Sequence, residues 1–354
     1  MDIFWFGFFG LVFGLSFLGT FLSIFLACRL QVLDKVSSAP SRKFQKIPVP
    51  LLGATGFVLV ATFLMSFVWL FYKYNLVVLP SLIYSFRLFW IILAILWLLL
   101  VGFLDDLGRI SSKFYILNVL SAIIVAVFCG GLKIEALSYP FDFFDFRIVW
   151  NLNLGIAVFQ LNLSQILAFF WLLFCTAATK FVDGSDGLCA TIGLISFLTI
   201  AATANQINQP IIVIFALIWV AGILGFLPFN FPDAKTYLGD GGSLIIGFVI
   251  GVLSILGGAK VATAGTVLGW FVLDVMLVML TRISHKQSIL VGDSRLHWHH
   301  RLHRIGFSKL QILVFTTIIL LFSAQIGLFL STFVKFLVIL FQVILLIFLI
   351  CRRS

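Results

Sequence analysis

The sequence predicts an all-α polytopic membrane protein of about 10–11 transmembrane helices, with a small outer β-hairpin near 133–163. Three observations carry that expectation. Of 354 residues, 62% are hydrophobic and 10% are charged, whereas a soluble domain has roughly 45–50% apolar and about 25% charged residues. Apolar runs recur near the length of about 20 residues that crosses the hydrocarbon core of a bilayer. Those runs and their short connections use the whole chain, so 1–354 reads as a single integral membrane domain. The 42 Phe fit helices whose outer faces meet acyl chains.

In chain order, the first run covers 3–28. It opens as MDIFWFGFFG with no basic residue ahead of the apolar stretch, and so reads as a first span and not a cleaved signal peptide. Runs at 51–72, 88–104 and 114–132 follow. Between 133 and 163, segments such as FDFFDFRIVW and LNLGIAVFQLNL alternate with period two, the pattern of a half-buried strand pair. Seven further runs occupy 164–179, 189–205, 211–229, 242–258, 264–281, 310–331 and 336–351.

Lys and Arg orient this array. With the N-terminus outside, 17 of the 23 basic residues fall on the inner side, chiefly in 29–46 and 282–309. Cytoplasmic loops carry the positive excess, so the C-terminus and the loops after odd-numbered spans are expected in the cytoplasm. The net charge of +10 is thereby explained without nucleic acid. Cys28, Cys129, Cys175, Cys189 and Cys351 show no CxxC spacing, which argues against a disulfide framework or a cysteine-held metal.

Acidic residues collect on the same inner side. Asp34, Asp105, Asp106, Asp183, Asp186, Asp233, Asp240 and Asp293 lie there, and Asp274 lies within a span. Asp105 and Asp106 end the third run in VGFLDDLGRISSK; adjacent carboxylates repel and call for a cation or proton between them. In FVDGSDGL, Asp183 and Asp186 are three apart and would share a helical face. Gly184 and Gly187 leave the backbone open to a ligand. Such a pair suits Mg2+ carrying a diphosphate, because Mg2+ takes one or two carboxylates plus phosphate oxygens. In NFPDAKTYLGDGGSL, Asp240 stands at a helix start, where exposed N–H groups attract phosphate. Asn230 offers a paired donor and acceptor for a base or an acetamido group.

A basic loop completes the inner set. GDSRLHWHHRLHRIGF places His297, His299, His300 and His303 among Arg295, Arg301 and Arg304. HxHH without Cys or a neighbouring Glu lacks zinc spacing, so imidazoles among arginines are expected to grip phosphate. RKFQKIPVP, with Lys46, suits an anionic lipid headgroup. A secondary transporter is the rival class, but it would place polar residues near the bilayer midplane and show repeats. Here only Asp274 is clearly intramembrane.

At these residues the chain resembles the polyprenyl-phosphate N-acetylhexosamine-1-phosphate transferases, glycosyltransferase family 4, with motifs in family order from 29 to 304. Its HxHH form and eleventh span resemble the GlcNAc-1-phosphate branch more than the phospho-MurNAc-pentapeptide branch. The resemblance implies transfer of a HexNAc-1-phosphate from a UDP-sugar to undecaprenyl phosphate, with release of UMP. It also implies a bacterial inner membrane, a cytoplasmic site, a role in cell-wall, lipopolysaccharide or O-antigen synthesis, and Mg2+ (or Mn2+) as cofactor. UDP-HexNAc, undecaprenyl phosphate, membrane lipids and a second copy of the chain are the implied partners. Asp105, Asp106, Asp183 and Asp186 match the family's catalytic carboxylates, and Asp240 with Asp183 its metal ligands. Lys46, Lys113, Lys180, Asn230, His297, His299, His300 and Arg301 stand at its substrate-binding positions. One departure is clear: the family carries asparagines just before DGxDG, where this chain reads AATKFVDG with Ala177 and Lys180.

Overall fold

A computed structural model describes residues 2–34, 48–73, 83–135, 148–153, 158–257, 261–286 and 297–351. Among them the helices are α1 Asp2–Arg29, α2 Gly53–Lys73, α3 Ile83–Asp106, α4 Ser112–Ile124 with a π turn Val125–Cys129, α5 Leu163–Val182, α6 Leu188–Gln206, α7 Pro210–Asn230, α8 Gly239–Leu256, α9 Val261–Ser284, α10 Trp298–Arg304, α11 Lys309–Phe329 and α12 Thr332–Cys351. Ten of these are long and apolar enough to cross a membrane. The expected run at 336–351 lies within α12. Each span coincides with an apolar run of the sequence because backbone N–H and C=O groups in hydrocarbon must bond within the segment.

The hairpin expected within 133–163 also forms. β3 Val149–Asn153 pairs antiparallel with β4 Val158–Asn162, Val149 opposite Asn162 and Asn153 opposite Val158. A second, two-residue pair joins β1 Leu33–Asp34 to β2 Val49–Pro50.

α8 is the hub. It is apolar on all sides and almost wholly buried, as a helix surrounded by others must be. α3 and α5 pack along it, while α1, α2, α6 and α7 form one flank and α9, α11 and α12 the other. Glycines permit these contacts: Gly56 lies against the Gly19 backbone, joining α2 to α1, and Gly247 lies against Cys175 and Thr179, joining α8 to α5. Small residues are the usual device for close helix approach in a bilayer, where no hydrophobic drive holds helices together. Phenyl rings such as Phe6, Phe63, Phe322 and Phe329 stand exposed around the perimeter, the arrangement lipid would require.

The rim at one end of the bundle is locked by the 231–238 loop. Pro50 O accepts from the Thr236 hydroxyl at 2.9 Å and from Tyr237 N at 2.8 Å, and Gly53 N donates to Tyr237 O at 3.2 Å. This loop delivers the chain to the start of α8.

Candidate active site

The site forms where α3 ends and α8 begins. Gly102 of α3 faces Gly241 of α8 so closely that a Cβ on Gly102 would collide with the Gly241 backbone. One turn beyond that crossing, Asp105 and Asp106 reach Asp240. Gly239 adopts φ +76°, and a Cβ there would strike Leu51 O and the Asp106 carboxylate. Only glycine serves at such a position. The Asp240 amide donates to both Asp106 oxygens at 3.2 Å. Asp106 therefore caps the positive end of α8. Asp105 makes a side-chain hydrogen bond with the Asp240 carboxylate. Two carboxylates in contact need a shared proton or a cation.

One cation is supplied by the chain itself. The Gly247 contact brings the last turn of α5 beside the start of α8, and Lys180 Nζ there pairs with Asp240 Oδ1. The two side chains keep 27% and 25% of their surface exposed, so the pair sits at an accessible rim and not in a sealed core. Lys180 Nζ also lies 5.6 Å from the Tyr115 ring centroid. The Tyr115 hydroxyl is buried beside this pair, with no hydrogen bond of standard geometry among the described residues.

The DGSDG segment departs from expectation. α5 stops at Val182, and 183–187 form a turn in which Gly187 takes φ +72°, so Asp183 and Asp186 share no helical face. Asp183 faces the cluster, hydrogen-bonded to the Ser243 side chain and within the field of Lys180. It keeps a solvent-facing edge, yet crowding by protein atoms pushes its carboxyl well above the usual range, with Lys180 pulling the other way. Asp186 turns elsewhere, accepting from Lys309 Nζ at 2.7 Å and from Ala234 N at 3.2 Å. It ties three loops together.

Asn230 is engaged within the fold in a similar way. Its Oδ1 accepts from Gly187 N at 3.1 Å and its Nδ2 donates to Thr236 O at 2.9 Å, both buried. This amide, expected to read a base or acetamido group, staples the 183–187 turn to the 231–238 loop.

The histidine segment is anchored from inside the bundle. Asp274, midway along α9, accepts from Trp298 N at 3.2 Å, and its other oxygen lies 2.7 Å from His297 Nδ1. Both side chains are almost fully buried. His297 stacks on Phe181 at 5.2 Å, and the His299 and His300 ring centroids lie 4.2 Å apart. A Cβ on Gly184 would come within 3.0 Å of His299 Nε2 and 3.1 Å of His300 Nε2. The imidazoles thus lie directly over the bare backbone that follows Asp183. Burial, with His300 and His297 alongside, holds the His299 imidazole well below its usual pKa, and neither ring nitrogen has a partner among the described residues. A neutral His299 would meet a phosphate through its N–H and not through a charge of its own. His300 and Arg301 are partly buried at the start of α10. Among the described residues no three His, Cys, Asp or Glu side chains converge on a metal-sized site.

Lys113 is exposed on the first turn of α4, two residues before Tyr115. Lys46 and Asp293 lie outside the described residues. Sequence reasoning missed Tyr115 and Lys309 and gave Asp274 no role. An acid within an apolar run was the available signal for Asp274, since such groups demand partners.

Comparison with known proteins bears on this arrangement. The family model described as glycosyl transferase family 4 matches residues 88–258, the stretch from α3 to α8. The chain is 33% identical over 258 residues to a probable undecaprenyl-phosphate N-acetylglucosaminyl 1-phosphate transferase of Bacillus subtilis, covering 69% of this chain and 68% of that one. It is 29% identical over 247 residues to a phospho-N-acetylmuramoyl-pentapeptide-transferase of Staphylococcus epidermidis, covering 66% and 72%. A protein of the latter description from Enterococcus faecalis is 34% identical over 165 residues, covering 44% and 48%.

Proposed function

The chain belongs to glycosyl transferase family 4, and from that premise we propose that it is a polyprenyl-phosphate sugar-1-phosphate transferase. The donor on this reading is a UDP-HexNAc, UDP-GlcNAc first, and the acceptor is undecaprenyl phosphate. The observation that carries the reading is the convergence of Asp105, Asp183 and Asp240 with Lys180 at one rim of the bundle, beside the open Gly184 backbone.

In the proposed reaction an oxygen of the lipid phosphate attacks the sugar-bearing β-phosphorus. The P–O bond to the α-phosphate breaks, and UMP leaves. Phosphoryl transfer of this kind asks the protein chiefly to position groups and neutralise charge. Asp105 orients the acceptor phosphate, and Asp106 holds the α8 N-terminus in register with it. Lys180 neutralises charge on the Asp240 side. The imidazoles over Gly184 shape the wall against which the donor lies.

Mg2+ fits this donor set. The carboxylates are hard oxygen ligands, and the contact between Asp105 and Asp240 is one that a proton or a cation must bridge. Mg2+ needs only one or two carboxylates beside substrate phosphates, so a preformed three-ligand cage is not required. Asp240 and Asp183 would hold it, and it would supply charge neutralisation of the diphosphate. The positive-inside asymmetry of the loops supports a cytoplasmic rim, where UDP-sugars are made available.

The test is UMP release by the purified protein with undecaprenyl phosphate, Mg2+ and a panel of UDP-HexNAc donors plus UDP-MurNAc-pentapeptide. Release that needs both lipid and an N-acetylated UDP-sugar is the expected result, and the panel separates the two descriptions found among the relatives. No release with any donor would remove the proposal.

A further inference from the structure

The pairing of Lys180 with Asp240 has a consequence for cation binding that goes deeper than the proposed transfer and rests on that reading of the centre. We infer that Lys180 is a resident counter-cation of the reaction centre: a divalent ion reaches Asp240 only by displacing its ammonium. Three features of the fold support this. Lys180 is carried on the last turn of α5, and the Gly247 contact with Cys175 and Thr179 fixes that turn against α8. The backbone therefore delivers the ammonium to Asp240, and the ion pair is not a chance meeting of two flexible surface chains. Asp240 has its other neighbours already in place, with Asp105 hydrogen-bonded to its carboxylate and Asp106 on its amide. The oxygen facing Lys180 is thus the one on which an incoming cation must compete. Finally, the pair keeps about a quarter of its surface exposed, so an ion has access to it.

A monovalent and a divalent cation on one carboxylate repel strongly at contact distance in a partly dry site. The centre without donor accordingly binds divalent ions weakly. When a diphosphate arrives, it offers the displaced ammonium a new anion to meet. Lys180 then changes partner from Asp240 to phosphate, and metal and donor bind with mutual assistance. A neutral asparagine at this position would offer no such competition, so Lys180 makes divalent-ion affinity depend on donor in this chain.

The test is Mn2+ binding to purified, substrate-free protein, followed by the free-ion EPR signal. Lys180→Met and Lys180→Asn should each lower the Mn2+ Kd by about ten-fold or more, the least that removing one adjacent like charge predicts. Lys180→Arg, which keeps the charge, should bind as weakly as the unaltered chain. Adding Asp240→Asn to Lys180→Met should abolish the gain, which places the tighter ion at Asp240. UDP-GlcNAc should tighten Mn2+ binding in the unaltered chain and much less in Lys180→Met. Equal or weaker Mn2+ binding in both neutral variants would overturn the inference, as would a gain that survives loss of the Asp240 carboxylate. If one neutral variant fails to fold, the other carries the comparison. Because the first readouts need neither donor nor turnover, they stand apart from the donor panel: failure of transfer with every UDP-sugar sinks the proposed function, whereas unchanged Mn2+ affinity sinks only the role of Lys180.

Discussion

Asp240 meets three demands at once: its amide donates to Asp106, and its carboxylate meets both Asp105 and Lys180. Asp240→Asn separates them, because the amide contact survives while the negative charge is lost. Transfer is expected to fall by roughly 10²–10³-fold, the scale set by removing a central electrostatic group from a reaction centre. Folded yield and thermal midpoint in detergent should stay close to the original, and UMP release with a melting curve checks both. His299 makes a different prediction. Its folded-state pKa is depressed by burial, so as pH falls below about 6.5 the unfolded chain takes up the proton first. The unfolded state then binds more protons, and stability present above that pH is lost on acidification, by at most about 1.4 kcal/mol per pH unit. The melting midpoint should drop between pH 7 and 5, and His299→Gln should flatten part of that slope. An equal slope in the variant would show that His299 is not the titrating group.

At the scale of elements, the site depends on how helices cross. Gly102 and Gly241 allow α3 and α8 to touch backbone to backbone. Gly102→Ala must push the helices apart or shift them along their axes, carrying Asp105 and Asp106 away from Asp240. A displacement near 1 Å costs on the order of 10²-fold in rate, so transfer should fall that far while the chain still inserts and purifies. Normal kinetics would mean that the crossing tolerates a methyl group. The α9–α10 junction gives a parallel case. Asp274 holds both His297 and the Trp298 amide from a position inside the bundle. Asp274→Ala leaves buried polar groups without a partner, at a cost of about 1–3 kcal/mol, and frees α10 from its seat over Gly184. A lowered melting midpoint together with reduced transfer is expected, with Asp274→Asn intermediate because it retains an acceptor for Trp298. An unchanged midpoint in the alanine variant would show that α10 is held by other contacts.

For the whole molecule, the ends of the spans sort the polar residues. The C-terminal ends of α3, α5 and α9 and the N-terminal ends of α4, α6, α8 and α11 lie at one rim, as alternation of spans requires. That rim carries Asp105, Asp183, Asp240, Lys180 and the Asp186–Lys309 pair. The positive-inside asymmetry predicts that this rim is cytoplasmic. In a background lacking native cysteines, Ser112→Cys and Ser185→Cys should resist an impermeant thiol reagent in intact cells. Gln206→Cys, at the opposite end of α6, should react. Labelling of Ser185→Cys from outside would invert the orientation.

The sequence by itself determined the helical spans, the β-hairpin and the short list of carboxylates, because each follows from local pattern. An apolar run of about 20 residues must become a helix in lipid, and alternation with period two marks the strands that pair over 149–153 and 158–162. Asp105, Asp183 and Asp240 were legible because acids are scarce in so apolar a chain and these three end or begin spans. Only the tertiary structure decided which acids meet and which are engaged elsewhere. Asp186 is bound to Lys309, 123 residues away, and Asn230 to Gly187, while Asp274 holds His297. Lys180 meets Asp240 beside a glycine contact about two helical turns further along α8. These pairings are set by helix crossings and loop closures between remote segments, and a spacing rule that works within one helix carries no information about them. The turn at 183–187 shows the limit most directly. Its i, i+3 acids looked like one face, but α5 ends at Val182 and Gly187, at φ +72°, opens α6, so the two carboxylates go to different partners.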